Sequence, residues 1–594
     1  MKYLVLDLET TVERIDGRID NSPKNPRNKC VAAYWGWLGE ETVDHVNKLI
    51  WHHNDYDGCD PTMALEADLE AADGMICHNT KFDAEWLQEM GFKLPPIVFD
   101  TMIIEYLLAK GQRRPLSLKE SAIRRNVKSL KKSDLIDDMF KVEALGFEEI
   151  PLEIVNEYAE ADVKACGELF LAQQVILERD HNKSLKKVIP FMHEMLLFLC
   201  EIEMNGVKID LDELERVEWE FETEKVALEK SLSVIVEDVM GDTPINLNSG
   251  MDLTRVIYSR EVIDRDRHRQ TFNIGTNEAG KSLRPPYMSN SQFIDAVRAT
   301  TKIVHKTQAS QCPDCSGVGS IQKFKVVTRT KLGKKYRVPG DAYKNRSKCQ
   351  VCNGAGAIYI STGVAAGLRM SPSTAYDASI NGFKTDKATI QGLLQQAQRK
   401  NNLRAVEFLT KISRLNAVST YLDSFCAGIQ RGTRATGFLH ANFNQCVAAT
   451  GRLSSGGGIT LNLQNLPKGR FPVRKCIISR FESGKILEAD YAQLEFRTCV
   501  ELSRDAQGLA DVLEGKDIHA QTASIVLQKP ASEVTKEERQ VSGKPNTFLP
   551  LFGGTGAGMP DHVKNYFGTF YDIYKGIYDW HQSLMTGTLK NGTV

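Results

Sequence analysis

Two short cysteine-containing units constrain the middle of the chain more than any other feature. They read Cys-Pro-Asp-Cys-Ser-Gly-Val-Gly from residue 312 and Cys-Gln-Val-Cys-Asn-Gly-Ala-Gly from residue 349. Paired C-x-x-C units are typical of a tetrahedral zinc site, and the glycines allow turns that aim backbone N–H groups at the sulfurs. Two disulfides are the alternative, which a reducing compartment disfavours. The predicted zinc ligands are Cys312, Cys315, Cys349 and Cys352.

The segment between the two cysteine units is strongly basic. It runs from Ser316 to Lys348 and holds ten Lys or Arg residues against one acid, Asp341. The whole chain carries a net charge of −1, so this excess is local. Such a segment favours phosphate groups, and we predict that it grips duplex DNA. The alternative is a hairpin that needs its charge for solubility.

Composition narrows the class of protein. The 594 residues exceed the size at which single cores stop growing, about 250–300 residues, so several domains are expected. Hydrophobic residues make up 42% and charged residues 25%, as in soluble globular proteins. No apolar run approaches the roughly 20 residues of a membrane span, and the acids at the N-terminus exclude a secretory signal. The odd number of cysteines, 13, then indicates reduced thiols and a cytoplasmic location.

Acidic residues follow a short apolar run at the N-terminus. Residues 3–6 predict a strand, and Asp7 and Glu9 share one face because side chains alternate along a strand. Two neighbouring carboxylates favour a bound cation, whereas an exposed edge strand with solvated acids is the alternative for this pair alone. Residues 74–79 predict a second strand, followed by a helix over 83–90 that begins with Asp83.

A later helix adds an acid and a phenol. In the predicted helix 151–179, Tyr158 and Asp162 are four residues apart and therefore share a face. Together with Asn79-Thr80-Lys81-Phe82-Asp83, these residues resemble the signatures of the proofreading 3′–5′ exonucleases. The resemblance implies that Tyr158 orients the attacking water. It also implies that two Mg²⁺ or Mn²⁺ ions are held by Asp7, Glu9, Asp83 and Asp162.

The middle of the chain predicts mainly helices. Apolar residues recur at helical spacing over 191–206, residues 207–210 are extended, and 211–239 form a long amphipathic helix. Asn248 or Ser249 is a good N-cap for the next helix. These stretches resemble the thumb of family-A DNA polymerases. Residues 450–455 and 461–467 resemble a further signature of that family, which implies minor-groove contacts to primer–template DNA by Arg452, Asn462 and Gln464.

Residues 485–497 combine an apolar run with polar groups. Ile486, Leu487 and Ala489 predict a short buried strand that presents Asp490 at its end, before a helix. A carboxylate there suits a divalent cation, whereas a simple Asp-capped turn is the alternative. The segment resembles motif A of family-A polymerases, so Asp490 would bind catalytic Mg²⁺. The resemblance also implies that the incoming nucleotide is bound by Tyr491, Gln493 and Glu495, and by His519 of the Asp517-Ile518-His519 element.

A basic and aromatic helix follows. Thr535 and Glu538 form a predicted capping box. Behind it, Lys544, Phe548 and Phe552 are four residues apart and share one face. This stretch resembles motif B, which implies nucleotide binding by Arg539, Lys544 and Phe548. It departs from the family pattern, since Arg539 and Lys544 are five residues apart instead of four and Pro545 should disturb the helix.

One element of the family pattern is missing from the printed sequence. Family-A polymerases carry a second metal-binding aspartate in a late H-D-E motif, and no H-D-E occurs here. Residues 587–594 are predicted as part of a hairpin. We expect either a truncated chain or a split polymerase whose second polypeptide supplies the aspartate. The alternatives are an active exonuclease with an inactive polymerase part, or a non-enzymatic DNA-binding scaffold.

The predicted architecture follows from these segments. We expect an α/β, RNase H-like exonuclease domain and then a right-hand polymerase with helical thumb and fingers and an incomplete α+β palm, interrupted by a zinc-ribbon-like insertion. The resemblance implies proofreading DNA replication with primer–template DNA and dNTPs as partners, Mg²⁺ (or Mn²⁺) and Zn²⁺ as cofactors, and a bacteriophage-type enzyme. The predicted boundaries are 1–182 exonuclease, 183–275 and 366–425 thumb, 276–365 inserted module, 426–505 palm and 506–594 fingers.

Overall fold

The computed structural model describes residues 1–129, 139–140, 145–272, 289–331, 334–342, 346–372, 376–377, 382–459, 461–467, 472–554 and 561–591. They form two compact units, Met1–Gly484 and Lys485–Val594, which are described separately. Among these residues, no helix combines the length and the apolar character needed to cross a membrane. The start of the predicted inserted module, 276–288, lies outside the described residues.

The first unit begins with a mixed β-sheet. Its strand order is β5-β4-β1-β6-β7, with β1 antiparallel to β4 and parallel to β6. Strands β4 and β5 are antiparallel, and β6 and β7 are parallel. A separate hairpin, β2–β3, lies between the first and fourth strands in sequence. The strands are β1 Tyr3–Thr10, β2 Glu13–Ile15, β3 Arg18–Asp20, β4 Cys30–Trp37, β5 Asn47–Ile50, β6 Gly74–Cys77 and β7 Ile97–Asp100.

Both faces of this sheet are covered. On one face, Leu4 and Leu6 of β1 share a core cluster with residues of helices α1 and α2. On the other face, Val5 packs in a cluster with Val163 and Phe170 of the long helix α5. This alternation along β1 is what the period of a strand requires. The helices are α1 Met63–Ala71, α2 Thr80–Glu89, α3 Thr101–Leu108, α4 Leu118–Arg125 and α5 Leu152–Leu177.

The rest of the first unit is mainly helical, as predicted. Aspartate, serine and asparagine side chains cap the helix starts, among them Asp210, Ser249 and Asp386. A 3₁₀ segment, Asp180–Lys187, leads into the first of these helices, and a π-turn, Tyr421–Cys426, joins α12 to α13. The helices are α6 Val188–Asn205, α7 Leu211–Met240, α8 Gly250–Tyr258, α9 Arg265–Phe272, α10 Asn290–Thr300, α11 Lys387–Arg399, α12 Leu403–Thr420 and α13 Ala427–Thr433.

Short strands pair between these helices. Strand β8 lies between β19 and β22 in a three-stranded sheet, while β9–β10, β17–β18 and β20–β21 form two-stranded pairs. Two 3₁₀ turns, Leu463–Asn465 and Pro472–Cys476, precede β22. The strands are β8 Val207–Ile209, β9 Arg260–Val262, β10 Thr301–Ile303, β17 Tyr376–Asp377, β18 Gly382–Phe383, β19 Phe438–Leu439, β20 Phe443–Asn444, β21 Ser454–Ser455 and β22 Ile477–Ile478.

Three successive strand pairs build a module inside the helical region. Strands β11 and β16 form an antiparallel stem, β12 and β15 pair beyond it, and β13 and β14 form a long hairpin. The four cysteines of the two sequence units form a buried cluster between stem and hairpin. The strands are β11 His305–Gln311, β12 Ser320–Ile321, β13 Phe324–Lys331, β14 Lys334–Ala342, β15 Ser347–Lys348 and β16 Ala357–Ala365.

The second unit is helical in its described part. Its core joins Phe496, Ile518 and Phe570 from three helices. A 3₁₀ turn, Ala531–Glu533, and a π-turn, Arg539–Gly543, interrupt the helices. The helices are α14 Leu494–Ser503, α15 Ala506–Leu513, α16 Ile518–Leu527, α17 Lys536–Glu538, α18 Lys544–Leu551, α19 Asp561–Ile573 and α20 Lys575–Asn591.

Three expectations about secondary structure were wrong. The segment 485–491 forms neither a strand nor a helix, and Leu487 is 92% exposed. A strand needs a neighbour to pair its N–H and C=O groups, and none of the described strands lies beside this segment. Helix α20 runs through Gly587 to Asn591 where a hairpin was predicted, because a glycine inside a helix costs only about 1 kcal/mol. Helix α2 begins at Thr80, three residues before the predicted start, because Asn79 in the left-handed region turns the chain there.

Candidate functional site

The acidic residues predicted at the N-terminal domain come together at one edge of its sheet. Strand β1 carries Asp7 and Glu9, the first turns of α2 carry Asp83, and α5 carries Tyr158 and Asp162. The backbone N–H of Leu8 donates to Asp83 Oδ1 at 3.1 Å, which fixes helix α2 against the strand. Glu9 and Asp83 are buried, with 6% and 1% of their surface exposed. The described contacts thus place five predicted residues in one site.

Burial and mutual repulsion raise the pKa values of these carboxyl groups. Burial and then the charge of Asp162 raise the pKa of Asp7 to about 8. Burial and the neighbouring carboxylates raise the pKa of Glu9 and of Asp83 well above their usual ranges. Burial also raises the pKa of Asp162, to about 6, although a hydrogen bond from Tyr158 opposes this. Four acids that are fully or partly buried and resist ionisation by themselves are a donor set that divalent cations would complete.

An aspartate that the sequence prediction missed supports this site. The carboxylate of Asp100, at the end of β7, accepts backbone N–H groups from Asn79 at 3.1 Å, Thr80 at 3.0 Å and Met102 at 2.8 Å. It therefore caps α3 and also holds the first residues of α2, the helix that carries Asp83. The capping rule could have found its first role, because Asp100 directly precedes a predictable helix. Its second role depends on the sheet bringing β6 and β7 together.

The four cysteines form a second candidate metal site. The Sγ atoms of Cys312 and Cys349 are 3.8 Å apart, and those of Cys315 and Cys352 are 3.6 Å apart. A tetrahedron with Zn–S bonds of about 2.3 Å has sulfur–sulfur edges of about 3.8 Å. Within the described ranges, this is the one group of three or more potential ligands whose ligand atoms all lie within 4.8 Å of one another. All four side chains are buried and none forms a disulfide.

The glycines of the two units are needed for this geometry. The N–H of Gly319 donates to Cys315 Sγ at 3.2 Å, and the N–H of Gly356 donates to Cys352 Sγ at 3.3 Å. Both glycines have positive φ, and a Cβ on either would lie 2.4 Å from a backbone oxygen. Burial opposes ionisation of Cys352, but the hydrogen bonds it receives lower its pKa to about 7. The donor set therefore fits Zn²⁺.

The second unit brings together most of the predicted nucleotide-side residues. Arg539 Nε donates to Asp517 Oδ2 at 2.6 Å. Burial, and then the positive charge of Arg539, lower the pKa of His519, which also experiences the charges of Lys544 and Glu495. His519 is buried, its Nδ1 is 3.1 Å from the Thr547 hydroxyl, and its ring lies edge-on to that of Phe548.

The unusual spacing of Arg539 and Lys544 has a structural explanation. The residues between them form a π-turn, in which the N–H of Lys544 donates to the carbonyl of Arg539, five residues earlier. The wider turn accommodates one more residue than an α-helical turn. Pro545 then occupies the first turn of α18, where its missing N–H costs nothing. The helix thus continues to Phe548 despite the proline.

Gln493 and Asp490 differ in their surroundings. The amide of Gln493 donates to Lys516 O at 3.2 Å and accepts from Ile518 N–H at 3.0 Å, so it holds the start of α16. Asp490 and Tyr491 lie on the exposed segment 485–491, and Tyr491 is 79% exposed. Among the described residues, Asp490 is not grouped with two other potential metal ligands.

The predicted minor-groove residues lie in the first unit. Arg452 and Gln464 are exposed. The side chain of Asn462 accepts the backbone N–H of Gln464 at 3.0 Å and caps a 3₁₀ turn. Their contacts to DNA stay predictions.

An α/β domain with a cluster of carboxylates suits a metal-dependent nuclease, and a large helical region follows this domain in the chain. Residues 66–178 match the family model of the 3′–5′ exonuclease, and residues 368–594 match that of DNA polymerase family A. The chain thus contains a DNA polymerase family A domain and a 3′–5′ exonuclease domain.

Individual relatives agree with this assignment. DNA polymerase I of Chloroflexus aurantiacus is 23% identical over 500 residues, which cover 82% of this chain and 39% of the relative. The thermostable DNA polymerase I of Thermus filiformis is 39% identical over 176 residues, 29% of this chain and 20% of the relative. The chain therefore spans well under half the length of these relatives.

A solved structure shows the same fold. It is the POL domain of Pol1 from M. smegmatis, described as a complex with DNA primer-template and dNTP. The TM-score is 0.61 at 18% identity, and the match covers all of this chain and 76% of the other.

Proposed function

We propose that the N-terminal domain removes nucleotides from the 3′ ends of DNA. The observation that carries this proposal is the convergence of Asp7, Glu9, Asp83 and Asp162 with Tyr158 at one sheet edge, on three separate elements. Isolated acids of an ordinary surface would be solvated, whereas these are fully or partly buried and have raised pKa values. Their shared environment matches the needs of metal-dependent phosphodiester hydrolysis.

The residues of the acidic site have distinct tasks in this proposal. The four carboxylates hold divalent ions, which would supply a hydroxide nucleophile and stabilise the leaving oxygen. Tyr158 keeps its proton, because burial and the nearby charge of Asp162 raise its pKa. Its hydroxyl bonds to Asp162 and can orient a water molecule beside the site. Asp100 and Leu8 fix the helix that carries Asp83.

The exonuclease proposal is tested with a 5′-labelled single strand and added Mg²⁺. The double variant Asp7→Asn/Glu9→Gln should lose activity by at least about a hundredfold, because both residues are metal ligands. A matched control is Asp180→Asn, since the Asp180 side chain is 96% exposed. Full activity of the double variant, or equal loss in the control, would contradict the proposal.

We infer that the remainder of the chain takes part in template-directed DNA synthesis, with primer–template DNA and dNTPs as substrates. Support comes from the cationic and aromatic group of His519, Arg539, Lys544 and Phe548, which matches the chemistry of a triphosphate and a base. Asp490 supplies one acidic ligand for Mg²⁺. We propose that the second acidic ligand comes from an H-D-E motif outside the printed sequence. In a split polymerase, this motif would lie on a second polypeptide.

The exposure of residues 485–491, which contain Asp490 of motif A, supports the proposal that further residues complete this site. Ile486 and Leu487, 58% and 92% exposed, are adjacent apolar residues on a segment that pairs with none of the described strands. A neighbouring strand would satisfy the backbone N–H and C=O groups of this segment. The bacteriophage-type origin and the cytoplasmic location stay predictions.

Primer extension separates the polymerase proposal from its alternatives. The chain alone should degrade a single strand but extend a recessed primer poorly. Addition of a polypeptide carrying the H-D-E motif should restore extension. Efficient extension by this chain alone would contradict the need for other residues. Degradation without extension under both conditions would indicate an exonuclease with an inactive polymerase part, and neither activity would indicate a scaffold.

We also propose that Cys312, Cys315, Cys349 and Cys352 bind one Zn²⁺ with a structural role. All four ligand positions are filled by thiols, which leaves no open position for catalysis. Reciprocal backbone bonds surround the site: Cys312 N–H donates to Gly356 O, and Cys349 N–H donates to Gly319 O, both at 2.9 Å. The metal would therefore hold two chain segments in one fixed arrangement.

A further inference from the structure

Among its described side chains, the hairpin beyond the cysteine site has no buried core. We name the two strands Phe324–Lys331 and Lys334–Ala342 the arm. They pair in register from Val326↔Pro339 to Lys331↔Lys334. Three apolar side chains of the first strand, Phe324, Val326 and Val327, are 52%, 69% and 42% exposed. The described part of the arm is thus a two-stranded ribbon open to its surroundings.

Unneutralised positive charge covers the described part of the arm. Lys325, Arg329, Lys335 and Arg337 are all exposed. In the ranges that the structure describes, no carboxylate lies within ion-pair distance of these four residues. Elsewhere in the chain, exposed cations commonly have such partners, for example Lys183 with Asp180. Like charges held together without acids weaken folding, so their presence points to an anionic ligand.

The stem below the arm, formed by β11 and β16, is firmly attached to the helical region. The carboxylate of Asp242, just after helix α7, accepts the N–H of Ala309 at 2.7 Å. Gly241 forms a bridge to Thr307 and approaches it so closely that a Cβ would lie 2.2 Å from Thr307 O. Lys306 also donates to the carbonyl of Asp238 in α7. The stem is therefore anchored to the end of one long helix, and the cysteine cluster joins stem to arm.

We propose that the arm binds the phosphate backbone of duplex DNA. A two-stranded ribbon has the width that a DNA groove admits, and cations along it can meet successive phosphates. Single-stranded DNA is usually held on aromatic stacking platforms, whereas the two strands of the arm carry six Lys or Arg residues against two aromatic residues, Phe324 and Tyr336. The ligand class rests on the proposed function, in which this chain acts on primer–template DNA. The contact would be independent of base sequence.

A charge-neutralising variant tests this proposal. It combines Lys325→Gln, Arg329→Gln, Lys335→Gln and Arg337→Gln, in a background of Asp7→Asn/Glu9→Gln that prevents degradation. The matched control removes the same charge at exposed lysines elsewhere, by Lys2→Gln, Lys93→Gln, Lys187→Gln and Lys230→Gln. Binding of a fluorescent duplex and of a single strand is measured by anisotropy at several salt concentrations.

The salt dependence gives the decisive readout. If the four cations each contact a phosphate, the slope of log affinity against log salt should fall by about 3–4 for the arm variant. At moderate salt, its duplex affinity should fall at least about tenfold, with a smaller change for the single strand. The control should keep the original slope. An unchanged duplex slope, or a loss confined to the single strand, would overturn the proposal.

Two further measurements separate this result from folding and from the proposed function. Zinc content of the arm variant should equal that of the unmodified chain, since no cysteine is changed. The same four arm substitutions in the active background should leave digestion of a short single strand within about twofold. Loss of duplex binding with retained digestion supports the arm alone. Absent digestion in the unmodified chain would count against the proposed exonuclease and leave the anisotropy result valid.

Discussion

Lys81 donates to both carboxylate oxygens of Glu203, at 2.8 and 3.0 Å. Lys81 lies two residues before Asp83 of the acidic site. The same ammonium group donates to Asn442 Oδ1 at 2.9 Å and to Phe443 O at 2.8 Å. Glu203 also accepts the backbone N–H of Phe443 at 2.6 Å. One buried ion pair therefore joins the nuclease helix α2, helix α6 and the chain around β20.

Replacing Lys81 with Met should destabilise the first unit by about 3–5 kcal/mol, because Glu203 would be left buried and without its cation. The double variant Lys81→Met/Glu203→Gln should recover part of this loss, since it leaves no unpaired charge. Urea denaturation followed by fluorescence measures the change. Lys183→Met is the control, because its ion pair with Asp180 is exposed. An equal effect of both Met variants would contradict the role of the buried pair.

Replacing Asp100 with Ala should reduce exonuclease activity by at least about tenfold. The change removes the acceptor for the N–H groups of Asn79 and Thr80 and so loosens the helix that carries Asp83. Asp100→Asn keeps one carbonyl oxygen and should lose less. Initial rates on a labelled single strand, measured with melting temperatures, provide the test. Activity lost in proportion to the folded fraction alone would refute the positioning role.

Acid sensitivity should depend on His193. This buried ring accepts the N–H of Asp100 at 3.0 Å, and burial lowers its pKa to about 4. Between pH 6.5 and 4 the unfolded chain therefore binds more protons at this residue than the folded chain does. Its contribution to stability is present above pH 6.5 and is lost as the pH falls toward 4.

The substitution His193→Gln removes this titration and keeps a hydrogen-bond acceptor. Unfolding free energy should fall by about 2–3 kcal/mol less between pH 7 and pH 4 in the variant than in the unmodified chain. Denaturation curves at several pH values measure the difference. His181→Gln, on the exposed 3₁₀ segment, is the control. Parallel pH profiles for all three chains would contradict the assignment.

The cysteine site should bind one Zn²⁺ per chain, and Gly319→Ala should weaken it. The added methyl would meet Gly354 O at 2.4 Å and displace the N–H that donates to Cys315 Sγ. Release of zinc to a colorimetric chelator should therefore be at least about tenfold faster than in the unmodified chain. Gly363→Ala is the control, since a Cβ there meets nothing within 4 Å. Absence of bound zinc in the unmodified chain would refute the site.

Local patterns predicted a site well when each residue lay on an element defined by its own sequence. Strand β1 and helix α5 form where their apolar periodicity indicates, so the positions of Asp7 and Asp162 followed from short segments. The role of Asp100 did not follow, because it depends on two strands meeting in the sheet. Ile486 and Leu487 were misjudged for a related reason: an apolar run becomes a strand only beside a partner. The π-turn after Arg539 absorbs one residue, which a fixed helical period does not anticipate.

The two ends of the stem of the cysteine module lie close together in space. Ala366 N–H donates to Val304 O at 2.8 Å, so the residues that flank the module are already in contact. The helices on either side therefore do not need the module to bridge a gap between them. A chain without the module would therefore need only a short connection between residues 304 and 366, which already lie side by side.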